Sequence, residues 1–153
     1  MSCVPLRTFN AFSVVVGRNN AGKSTLFEAV RLIAEVMRRL PNGPFVKARE
    51  WTGACGTGIS LTLEQVGLRS TTLFHRYQRP PATLQATFAD GTSVEVFLGA
   101  DGEIYAEAVS ANGLNIESRQ VARKAGLATI GNSTFVASIF IRCEVTNWGV
   151  GLL

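Results

Sequence analysis

Cysteine, histidine and lysine are scarce in this chain of 153 residues, which has three, one and three of them. Cys3, Cys55 and Cys143 lie far apart and form no C-x-x-C pair. With His75 as the only histidine, a structural zinc site is excluded as the organising device. So is a disulfide scaffold, and a reducing compartment is expected. Long apolar runs are missing too. The longest strongly apolar stretch, residues 135–141, falls far short of the ~20 residues that cross a bilayer. Residues 1–8 lack a basic segment followed by a long apolar one, so no signal peptide is read. A cytoplasmic protein without a membrane partner is the expectation. No Lys/Arg run exceeds the pair Arg38 and Arg39. The net charge of +4, from 15 cations (twelve of them arginine) against 11 anions, permits a polyanionic partner such as DNA without demanding one. No internal repeat and no low-complexity tract stands out.

What is present is a globular composition, 46% hydrophobic and 17% charged, in a length that suits one domain with a real core. Residues 12–16 read as a buried strand, because Val14, Val15 and Val16 are consecutive and β-branched. Gly17 ends it. A helix is predicted from about Gly22 to Leu40, with an apolar stripe of Leu26, Val30, Ile33, Met37 and Leu40 widened by Phe27 and Ala34. Such a helix is roughly 28 Å long, and Pro41, Asn42, Gly43 and Pro44 stop it. Residues 45–56 show no period and read as loop. Residues 58–66 alternate, with Ile59, Leu61 and Leu63 on one side, and read as a strand with one wet face. Residues 71–78 are a candidate partner, ended by Pro80 and Pro81. Leu84, Ala86 and Phe88 alternate up to Asp90-Gly91, and Val94, Val96 and Leu98 alternate after it. That pattern favours a tight primed turn. Asp101-Gly102 repeats the device before a third strand at 104–109, so 83–109 read as an antiparallel meander. A short polar helix is expected over 115–127 and a strand over 134–145, with Phe135, Ala137, Ile139 and Ile141 on one side. The apolar, uncapped stretch 148–153 suggests a chain that continues in its relatives.

One segment carries chemistry. Residues 17–24 read Gly-Arg-Asn-Asn-Ala-Gly-Lys-Ser, the G-x-x-x-x-G-K-[ST] pattern of a phosphate-binding P-loop. Four fixed positions match by chance at roughly one position in 30,000, and this match lies between a β-branched strand and an amphipathic helix, where the mechanism needs it. Gly17 lets the backbone turn off the strand, and Gly22 lets it approach phosphates without a Cβ in the way. Arg18, Asn19, Asn20 and Ala21 line the loop through their backbone. The amides of residues 20–25 are orphan donors at a helix start, beside its positive dipole end. Lys23 is placed to reach the β and γ phosphates, and the Ser24 hydroxyl to ligate Mg2+. The Thr25 hydroxyl either approaches the α phosphate or bonds back to the helix. The expected ligand is ATP with Mg2+. The plain alternative, a glycine-rich turn into a helix, leaves Lys23 without an anion to meet.

Other residues weigh less. His75 reads as a surface or edge residue before a catalytic base. Glu28 reads as a surface or salt-bridging group before a contact behind the metal. Gln65, Gln78 and Gln85 are each open to a metal or water contact, with a plain surface role favoured. Arg76 and Arg79 beside Tyr77 read as a solvated strand edge before a phosphate-backbone contact. Trp51 and Trp148 read as packing residues.

Residues 12–32, FSVVVGRNNAGKSTLFEAVRL, resemble the opening of the ABC-type ATPase heads. These include the SMC, Rad50 and RecF proteins and the AAA-family ATPases of the overcoming-lysogenization-defect (OLD) nucleases. Asn19, Asn20 and Ala21 in the loop, with the continuation from Leu26 to Val30, are most similar to the OLD-like and RecF-like branch. The resemblance implies the N-terminal portion of an α/β P-loop NTPase: a strand–P-loop–helix segment at 9–44, an antiparallel lobe at 57–109 and a helix plus strand at 112–153. It implies ATP sandwiched between two heads of a homodimer, and work on DNA in repair, processing or phage defence. The chain departs from the pattern in having no hydrophobic run that ends in Asp-Glu, no Leu-Ser-Gly-Gly-like signature, no switch histidine and no acidic nuclease module. Catalysis of this kind rests on positioning and charge stabilisation around the phosphate, so turnover by this chain alone is expected to be very slow. A non-catalytic nucleotide-binding module or degraded fragment is the alternative. Another P-loop enzyme, such as a kinase or GTPase, is disfavoured because no Asn-Lys-x-Asp motif and no arginine-rich lid appear.

Overall fold

The computed structural model describes residues 23–68, 82–125 and 142–145. The strand expected at 12–16, the loop 17–22, the segment 71–78, Trp148 and most of the strand expected at 134–145 lie outside them.

Helix α1 spans Lys23–Arg39. Leu40 still donates to Val36 O at 2.9 Å, and then Pro41 ends the ladder while the amides of Asn42 and Gly43 both fall on Arg39 O. The buried stripe consists of Ala29, Leu32, Ile33, Val36, Met37 and Leu40, with Leu26 and Val30 packed at its margin. It is therefore rotated from the expected one. Phe27, read as widening the stripe, is 61% exposed. At 3.6 residues per turn it sits on nearly the opposite side from the centre of the buried stripe. Both flanks of the sequence stripe are apolar, so packing against the sheet chose between them.

The sheet has six strands in the order β1-β2-β5-β4-β3-β6, and every pairing is antiparallel. They are β1 Phe45–Lys47, β2 Thr57–Thr62, β3 Ala82–Thr87, β4 Ser93–Leu98, β5 Glu103–Val109 and β6 Arg142–Val145. The expected meander is present as β3, β4 and β5. The register sets Leu84 opposite Val96 opposite Ala106 opposite Ile59 across four strands. Their neighbours Leu61, Ala86, Val94, Leu98, Ile104 and Ala108 share that face and join the α1 residues in one core. Each fully buried aliphatic side chain contributes about 1.5–3 kcal/mol, so this helix-on-sheet contact is the main favourable term in the fold.

The turns differ from the expected primed type. Phe88 N donates to Thr92 O, Gly91 N donates to Phe88 O, and Gly91 has φ 89°. This is a three-residue loop ending in a left-handed glycine, and the Asp90 carboxylate pins it by accepting from Thr92 N and Oγ1, both at 2.9 Å. Gly99 with Glu103, and Ser110 with Leu114, close the same loop around Gly102 (φ 79°) and Gly113 (φ 75°). The three loops read Ala-Asp-Gly, Ala-Asp-Gly and Ala-Asn-Gly, eleven residues apart. The chain thus does carry a short internal repeat, and its unit is one strand plus one turn.

Three further boundaries are corrected, and a fourth is described only in part. The strand read as 58–66 stops at Thr62, because Thr62-Leu63-Glu64-Gln65 makes a reciprocal cap. Gln65 N donates to Thr62 Oγ1 (3.3 Å), and Gln65 Oε1 accepts from Thr62 N (3.0 Å). The loop read as 45–56 contains β1 and a 3-10 turn, Glu50–Thr52. The helix read as 115–127 is α2, Arg119–Lys124, capped by Ser118, while Asn115 bridges to Val109. Of the strand read as 134–145, Arg142–Val145 is described, paired to β3.

Residues 48–56 form a strap over the other face of the sheet, closed by Ala48 N to Gly56 O at 3.0 Å. Glu107 Oε1 holds it, accepting from Gly56 N (3.0 Å) and from the Tyr105 hydroxyl (2.9 Å). Tyr105 is 1% exposed and stacks at a tilt on Phe97. Burial, reinforced by Glu107, pushes its phenol well above the usual range.

Candidate nucleotide-binding helix start

The residues expected to bind phosphate run into the first turn of α1. Lys23 is its first residue, and Ser24 and Thr25 follow with exposed side chains. Gly17, Asn19, Asn20, Ala21 and Gly22 lie outside the described residues. The first turn of α1 contains no acidic residue, while its last turn carries Arg38 and Arg39. The basic end complements the helix dipole, as helices commonly arrange. The amino end is left with its positive potential and its orphan N–H donors uncompensated by any carboxylate of that turn. This helix is seventeen residues long and joins the hydrophobic core from Leu26 onward.

The donor set of the first turn suits an anionic oxygen ligand: backbone N–H groups, two hydroxyls and one ammonium-bearing residue. For a divalent cation it offers the Ser24 hydroxyl. A single hydroxyl is a modest protein share, of the kind that would suit Mg2+ carried in with a phosphate ligand. Among the described residues no group of three His, Cys, Asp or Glu side chains is placed to hold a metal by itself.

The remaining candidates separate cleanly. Glu28 is half-buried one turn along α1 from Ser24. Gln65 is committed to its cap at Thr62, and its carbonyl accepts from Arg39 Nη2. It belongs to the opposite end of α1 from Ser24, which removes it as a metal contact. Gln85 lies in β3 opposite Glu95 and Arg142, on the sheet face turned away from α1. Trp51 is half-buried against Gly99, a packing residue as expected, though its indole N–H is buried without a partner. His75, Arg76, Tyr77, Gln78 and Arg79 lie outside the described residues. The reciprocal cap was the role missed for Gln65. Its signal, Thr-x-x-Gln, stands in the sequence but was hidden by the alternation of Leu61 and Leu63.

Residues 12–118 match the family model described as "AAA domain, putative AbiEii toxin, Type IV TA system". The chain belongs to that AAA-domain family. The match takes in the P-loop pattern, α1 and strands β1–β5, and ends at the Ser118 cap of α2. No curated protein and no solved structure matches the chain. Among the described residues, no helix is long and apolar enough to cross a membrane.

Proposed function

We propose that the chain binds Mg-ATP through residues 17–25. The observation that carries this reading is the G-x-x-x-x-G-K-S pattern running into the first turn of a long, packed helix whose amino end holds no carboxylate. Membership of an AAA-domain family supports it. Gly17 and Gly22 allow the close backbone approach. The amides across Asn19, Asn20, Ala21 and the residues through Thr25 cradle the phosphates, Lys23 neutralises the β and γ groups, and Ser24 supplies a hydroxyl to Mg2+. Mg2+ held there would supply positive charge that offsets the phosphates.

In the wider reading, the chain contributes the phosphate-binding segment of a cytoplasmic ATPase head like those of the OLD, RecF and SMC/Rad50 proteins. Such a head pairs with a second copy and handles DNA in repair or phage defence. The family description, which names a toxin of a toxin–antitoxin system, favours the defence setting. A second reading, a nucleotide-binding module without turnover, is favoured by one sequence fact: no hydrophobic run in these residues ends in an Asp-Glu pair that would polarise the attacking water.

Calorimetric titration of Mg-ATP into the wild type, Lys23→Ala and Ser24→Ala tests the site. Lys23→Ala is expected to weaken binding by about tenfold or more, ~1.4 kcal/mol. Ser24→Ala is expected to abolish the gain in affinity that Mg2+ brings. Equal affinity of wild type and Lys23→Ala would remove the proposed site. Phosphate release checks the turnover expectation: release near background with retained binding fits both readings of this chain, and brisk release would overturn the expectation that its hydrolytic machinery is incomplete.

A further inference from the structure

We draw no further inference here: the strongest candidate, the strap of residues 48–56 over the sheet face away from α1, with the buried and unpartnered Trp51 indole N–H and the exposed Cys55, carries nothing because nothing in the structure shows what ligand or partner would meet it.

Discussion

Gly58 sits in β2 where the strap returns to the sheet, and a Cβ at that position would lie 2.0 Å from Ala106 O and 3.1 Å from the Tyr105 ring. The obstacle is backbone, which cannot rotate aside. Gly58→Ala is therefore expected to cost ~3 kcal/mol, at the upper end for overpacking, in urea unfolding. Gly53, at φ 69° with open space for 4 Å around the place a methyl group would take, is its control. Gly53→Ala carries backbone strain alone, ~1 kcal/mol. Glu35 yields a pH prediction. Its hydrogen bonds to Arg38, at 2.6 and 3.0 Å, and the further bond from Arg39, hold its carboxyl down to about 2 against a partial desolvation that works the other way. The folded value lies below the unfolded one, so the contribution is present above about pH 4.5 and fades as pH falls through 2. Acid titration of Glu35→Gln is expected to show a flatter stability loss across that window. Its cost at neutral pH should be small, because Arg38 is 60% exposed.

Helix α1 shows what patterning decides and what it leaves open. Its ends were legible: the P-loop pattern announces the start, and Pro41, Gly43 and Pro44 the stop. Its buried face was not, since Phe27 and Ala34 on one flank are as apolar as Ala29, Leu32 and Val36 on the other. The two choices differ measurably. Ile33→Ala is expected to cost about 2–5 kcal/mol in denaturant unfolding, whereas Phe27→Ser should stay within ~0.5 kcal/mol. A large cost for Phe27→Ser would mean that the expected stripe, not the observed one, faces the core. Strand β1 was illegible for a different reason. Phe45, Val46 and Lys47 have no period of their own and become a strand by pairing with Thr57, Gly58 and Ile59. The meander was readable because its cause is local: alternation broken by Asp-Gly. The loop type was not, because Asp-Gly serves both two- and three-residue hairpins, and the bond from Phe88 N to Thr92 O decides.

In the molecule as a whole, β4 and β5 form the middle of the sheet and β1 one margin. Hydrogen exchange should reflect this. Amides of Val96 and Ala106, flanked by strands on both sides and lying over α1, are expected to exchange only on global unfolding. Those of Val46 and Lys47 should exchange orders of magnitude faster by local opening. The candidate site is read from a contiguous string, residues 17–25, of which the structure describes Lys23, Ser24 and Thr25 at the start of α1. The scattered glutamines and His75 were not legible in that way, since a metal contact of that kind is made by tertiary folding. Only the cap at Thr62 settled Gln65. The recurring Ala-Asp/Asn-Gly unit has a last implication for how this chain can change length. Each copy reverses the heading of the backbone once, so losing or gaining a single copy would send everything downstream the wrong way. Loss or gain in pairs preserves direction, and an evolutionary or engineered variant of this sheet should therefore differ by twice the eleven-residue spacing.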